Sequence, residues 1–129
     1  MLTITSRDNP QIKQVRALLS GSRARREAGL FVCEGFTLLG EALRRGCTPR
    51  AVFCLEGEEH RLPLLTCPTC LVTRPVLEKL SDVPAPQGVV FTLPLPPLEE
   101  ALPEGERFLA LDQLRDPGNV GTVLRTADA

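Results

Sequence analysis

The chain has no tryptophan and no tyrosine, and only five phenylalanines in 129 residues. All five, Phe31, Phe36, Phe53, Phe91 and Phe108, lie in or beside apolar segments and are assigned to the core. That argues against an aromatic platform on which nucleic-acid bases stack. Apolar runs are short, and none approaches the roughly 20 residues a membrane-spanning helix needs. The start, Met1-Leu2-Thr3-Ile4-Thr5-Ser6-Arg7, lacks the basic-then-apolar layout of a secretory leader. A cytoplasmic location is therefore expected. There is no internal repeat.

Cysteine is present, but its count of five is odd. In a reducing compartment that excludes a disulfide framework. Cys33 and Cys54 sit in apolar runs and read as small core residues. Cys67-Pro68-Thr69-Cys70 is a closer thiol pair. A thioredoxin-like pair should open a helix after a strand, whereas this one precedes an apparent strand, Leu71-Val72-Thr73. A tetrahedral zinc site needs about four ligands. Cys47 and His60 could complete one, yet no second close pair exists. No metal is expected, and a thiol or zinc protein built on Cys67 and Cys70 stands as a rival reading.

What the chain does have is a charge gradient. The net charge is −1, but residues 1–50 carry nine Lys/Arg and four Asp/Glu, and residues 51–129 carry six and twelve. The basic half is the one expected to meet a polyanion. Lys13 and Arg16 lie off the apolar stripe of a first helix. Arg23, Arg25 and Arg26 follow in Gly21–Gly29, read as a basic, flexible connection. Guanidinium groups there can pair with phosphates in forked geometry. The alternative is a solvated loop with scattered charge.

The apolar pattern alternates between helix and strand. Asp8-Asn9-Pro10 opens a helix with apolar Ile12, Val15, Leu18 and Leu19, and Gly21 ends it. Residues 30–33 form a strand. A helix runs from about Phe36, with Leu39, Ala42 and Leu43 on one face, to Gly46. Ala51–Leu55, Leu71–Thr73 and Val89–Leu93 are strands; Glu58–Leu65 and Val76–Leu80 are short helices. The expected fold is a small α/β/α sandwich. It spans 1–94, before a linker at 95–106 marked by prolines and by Glu99, Glu100, Glu104 and Glu106. A strand at Phe108–Leu111 then opens a second region, 107–129.

That region carries the most specific pattern. Asp116-Pro117-Gly118 is turn chemistry, with Asn119 in the place of a helix N-cap. Val120, Val123, Leu124 and Ala127 form an apolar stripe. Arg125 lies off it, on the flank of Gly121 and Asp128. A bare backbone patch beside a guanidinium can receive a phosphate or ribose closely.

Asp116-Pro-Gly-Asn119-Val-Gly121-Thr-Val-Leu-Arg125-Thr-Ala127 resembles the first motif of the SpoU (TrmH) family of RNA ribose 2′-O-methyltransferases, in the SPOUT class. Arg23-x-Arg-Arg26-Glu-x-Gly-Leu-Phe31-Val-Cys-Glu34-Gly35 and Pro86-Gln-Gly88-Val-Val resemble that family's substrate-binding domain. The resemblance covers essentially the whole chain. It implies a ribosomal-protein-like RNA-binding domain followed by the first strand and helix of a knotted α/β domain. It implies S-adenosylmethionine as methyl donor, structured ribosomal or transfer RNA as partner, and a homodimer. It carries Asn119 and Arg125 over as catalytic residues, and extends the RNA-facing set to Glu34 and Gly35. Gly35 serves either close backbone approach to RNA or a tight turn. The family's cofactor-binding motifs have no counterpart in these 129 residues, so the chain by itself is expected to be inactive. The alternative is a self-standing RNA-binding module without catalysis.

Overall fold

The computed structural model describes residues 1–97 and 104–129. Residues 98–103 of the expected linker, with Glu99, Glu100 and Pro103, lie outside the described residues. The chain divides into two compact units, Met1–Pro96 and Pro97–Ala129.

The first unit is a five-stranded mixed sheet with helices on both faces. In chain order it contains β1 (Leu2–Ile4), α1 (Pro10–Ser20), α2 (Ser22–Ala28), β2 (Leu30–Glu34), α3 (Phe36–Arg44), β3 (Ala51–Leu55), β4 (Thr69–Val72), α4 (Arg74–Lys79) and β5 (Val89–Pro94). The sheet order is β1-β4-β3-β5-β2. β1, β4 and β3 are mutually parallel, and β5 runs antiparallel to both β3 and β2.

Strand alternation divides the core between the faces. Phe53 and Leu55 of β3 and Val90 of β5 join Ile12 and Val15 of α1 and Val76 and Leu77 of α4. Val52 of β3 and Val89, Phe91 and Leu93 of β5 join Leu39 and Ala42 of α3 on the other side. Each fully buried side chain of this size contributes roughly 1.5–3 kcal/mol. Asn9 caps α1, its side chain accepting from the Gln11 N–H at 2.8 Å, and Pro10 takes the first helical position.

Three local expectations fail here. Residues 22–28 are a helix, not a flexible connection. Ala, Arg and Glu favour helix intrinsically, and Gly29 closes α2 in the left-handed conformation at φ 64° with its N–H on the Arg25 carbonyl. Only Glu59–Arg61 of the expected helix at 58–65 winds, as a single 3₁₀ turn. The CxxC pair also shifts, because β4 begins at Thr69 and takes Cys70 into the sheet.

The second unit contains α5 (Pro117–Asp128). Phe108–Leu111 forms no strand. A ladder needs a partner's backbone groups, and this segment pairs with nothing among the described residues. Phe108 is consequently 62% exposed rather than core. Among the described residues, no helix is long and apolar enough to cross a membrane.

Candidate functional site

The strand directions distribute the candidate residues over two edges of the sheet. The carboxyl ends of β1, β4, β3 and β2 share one edge, where Glu34 and Gly35 meet Gln87 and Gly88. The Gly35 N–H donates to the Val89 carbonyl and the Leu55 N–H to Gly88, at 3.0 and 2.8 Å. The amino ends share the opposite edge, where Gly29 follows α2 and accepts from the Leu95 N–H at 2.8 Å. A five-residue strand separates these edges by about 13 Å. The α2 arginines and the Glu34-Gly35 turn therefore do not form one patch.

On the amino edge, the arginines differ. Arg25 donates to the Leu18 carbonyl at 2.7 Å and ties α2 to the last turn of α1. It satisfies a carbonyl that the helix end leaves free. Arg23 pairs with Glu27 at 2.8 Å, four residues on. Arg26 is exposed, as are Lys13 and Arg16 on α1. Lys13 has only a 4.0 Å surface pairing with Asp8, which holds it weakly. Lys13, Arg16 and Arg26 are thus readily available to an anion, Arg23 after breaking a surface pair, and half-buried Arg25 with one of its donors committed to Leu18.

On the carboxyl edge, the Glu34 carboxylate accepts from the Ser81 hydroxyl at 2.5 Å and the Gln87 N–H at 2.8 Å. It pins the loop that enters β5. Gly35 has φ 104°, and a Cβ there would lie 2.5 Å from Gln87 Oε1. The tight turn requires a glycine here. Beside it, a hollow of about 360 Å³ is lined by Arg61, Arg74, Glu58 and Gln87. Arg61 lies 4.0 Å over the Phe36 ring and bonds Glu58 at 2.7 Å. That bond is the main reason the Glu58 carboxyl is held below its usual range. These residues carry no motif; only Gly57 and Gly88 mark the turns that bring them together.

The start of α5 differs from expectation. Asp116, not Asn119, is the N-cap, and its side chain accepts from the Asn119 N–H at 2.9 Å. Asp at the cap with Pro117 behind it is the stronger start signal. Asn119 is the third helical residue and exposed. Arg125 folds back over Gly121: a Cβ at Gly121 would meet Nη1 at 3.3 Å and Nη2 at 3.6 Å. Asn119 stands about 9 Å along the helix from Arg125 and about 120° around it. One ribose would have to bridge that span.

All five cysteines are free thiols. Burial pushes the Cys33 thiol up, and the Cys54 thiol to about 11. Cys54 is buried in the core, and Cys33 is half-buried against it. Among the described residues, no three of His, Cys, Asp and Glu gather as a metal site.

Residues 9–90 match the family described as MRM3-like substrate binding domain. An uncharacterized tRNA/rRNA methyltransferase of Synechocystis is 36% identical over 98% of this chain and 49% of its own length. The Bacillus subtilis 23S rRNA guanosine 2′-O-methyltransferase RlmP is 30% identical over 100% of this chain and 51% of its own. The AdoMet-bound rRNA methyltransferase of Sinorhizobium meliloti superposes with a TM-score of 0.76 at 32% identity, covering 98% of this chain and 50% of that one. The chain belongs to the SpoU/TrmH methyltransferase family, and its front part is an MRM3-like substrate-binding domain. It spans about half the length of these relatives.

Proposed function

We propose that this chain is the RNA-docking front part of a cytoplasmic, S-adenosylmethionine-dependent RNA ribose 2′-O-methyltransferase acting on ribosomal or transfer RNA. Residues 1–94 dock the RNA, 95–106 link, and 107–129 begin the catalytic domain. The observation that carries this reading is one chain holding both an MRM3-like substrate-binding domain and the Gly121–Arg125 flank. Five free thiols suit a reducing compartment. The family's relatives supply the methyl donor and the 2′-hydroxyl; the complete enzyme is a homodimer.

A ribose hydroxyl is a weak nucleophile, and its developing negative charge needs stabilising. Arg125 is too basic to accept the proton. It holds the incipient alkoxide and the adjacent phosphate, while Asn119 orients the ribose by hydrogen bonds. The family's cofactor-binding motifs have no counterpart among these 129 residues. The 129-residue chain alone neither retains the cofactor nor turns over.

The test is a titration of the chain with structured ribosomal and transfer RNA fragments, at about 50 and about 200 mM salt. Three to four phosphate contacts weaken binding by tens-fold to about a hundredfold over that range. Changing Lys13, Arg16, Arg23 and Arg26 to Ala, with Arg25 kept for its hold on Leu18, removes the salt-sensitive part. Wild-type binding that ignores salt, or survives in the variant, sinks the docking role.

A further inference from the structure

On the α1 face, near the amino edge of the sheet, a groove of about 450 Å³ lies between α1 and strands β4, β3 and β5. This falls within the ~300–1,000 Å³ of ordinary ligand pockets. Its floor is apolar, with Phe53 and Ala51 of β3. Its polar groups come from four elements: Gln11 and Gln14 of α1, Thr92 of β5, Cys70 of β4, and Arg50 ahead of β3. Helical spacing puts Gln11, Gln14 and Leu18 on one flank of α1, away from Lys13 and Arg16.

Two features point to a ligand. Thr92 is only 3% exposed, and its side chain forms no hydrogen bond among the described residues. It is the one polar residue in the buried set. Among the described residues no fully buried side-chain oxygen lacks a partner, so the Thr92 hydroxyl keeps a small exposed surface on the groove it lines. Secondly, Arg50 brings a positive charge to the lining and no Asp or Glu offsets it. The groove thus offers two amides, the Gln11 oxygen accepting weakly from the Cys70 thiol at 3.8 Å, one hydroxyl, an apolar floor and one cation. That is the complement of a planar heterocycle with hydrogen-bonding edges attached to an anion.

We propose that this groove binds one unpaired nucleotide, its base against Phe53, Gln11, Gln14 and Thr92, and its phosphate at Arg50. The nucleotide is either free or an unpaired residue of the docked RNA; the RNA source rests on the function proposed above. The groove would let the domain read an unpaired base without an exposed aromatic platform.

The test uses the 129-residue chain and two probe sets. The first is the four nucleoside 5′-monophosphates, followed by amide shifts and by peptide-resolved alkylation of Cys70. At least one nucleotide shifts Thr92 and the α1 flank and slows alkylation of Cys70. Thr92→Val, which suits a strand, and Gln14→Ala, on an exposed flank, each weaken it about tenfold. The second set is an RNA hairpin with an unpaired loop and a blunt duplex of equal length. Hairpin-specific protection of Cys70 assigns the nucleotide to RNA. Protection by mononucleotides but not by the hairpin overturns the RNA source. If both RNAs bind and nothing protects Cys70, the groove inference falls and RNA docking stands. If no RNA binds but a mononucleotide does, RNA docking falls and the groove stands.

Discussion

Phe53 and Phe108 sit in similar short apolar runs, Val52-Phe53-Cys54-Leu55 and Phe108-Leu109-Ala110-Leu111. Phe53 is 2% exposed and Phe108 is 62% exposed. The first run is hydrogen-bonded on both sides, to β4 and β5. The second is not in a ladder at all. The same contrast holds for the helices: α1 buries Ile12, Val15 and Leu18, whereas Leu124 of α5 is 50% exposed. Apolar pattern nominates a segment, and only a partner turns that nomination into burial.

The largest effect that sharpens this comparison is in the core. Phe53→Ala costs about 3–5 kcal/mol of stability, while Phe108→Ala changes it by no more than about 0.5 kcal/mol. Urea unfolding followed by circular dichroism measures both; similar losses would break the contrast. Next comes Gly35→Ala, which meets a positive φ and also obliges the flexible end of the Gln87 side chain to move aside. It costs about 1–3 kcal/mol. Gly21, with an extended backbone and open space around its Cβ position, accepts Ala with little loss. Equal melting shifts for the two would refute the strain at Gly35.

Smaller again is Asp116→Ala, which removes the α5 cap for about 1 kcal/mol. Asn119→Ala spares the helix. Amide exchange in 117–122 distinguishes them, and a larger loss from Asn119 would restore it as the cap. In a chimera that restores methyl transfer on the Bacillus subtilis catalytic half, Arg125→Ala abolishes transfer and leaves RNA docking intact. Loss of both together would remove its catalytic role.

The smallest effect is electrostatic. Hydrogen bonds from Arg44 and Arg45 hold the Glu41 carboxyl below its usual range. A carboxyl lowered on folding stabilises above its unfolded pKa, and that support is lost as pH falls through the folded value. Acidification below the usual carboxylate range therefore weakens α3 slightly, and Glu41→Gln flattens that slope. An unchanged acid slope in the variant would dismiss the cluster.

Where local rules act alone, the sequence was readable. Asn9-Pro10 starts α1, and alternation locates β3 and β5. Two glycines framing a seven-residue helix hid α2, because turn signals at both ends read as a loop. The cap of α5 was misplaced by one turn's chemistry, since Asp116 and Asn119 are both good caps. The separation of Arg26 from Glu34 was not legible at all. It depends on strand direction, which pairing partners set. The groove at Thr92 was hidden for the same reason: Gln14, Arg50, Cys70 and Thr92 are far apart in sequence and meet only through sheet order.

That sheet order also imposes a schedule on synthesis. β2 pairs with β5 alone, and β1 with β4 alone. A ribosome that has delivered α1, α2, β2 and α3 has therefore released two strands without neighbours. β1 waits for Thr69–Val72, and β2 waits for Val89–Pro94. The sheet closes only as its last strand, Val89–Pro94, leaves the exit tunnel.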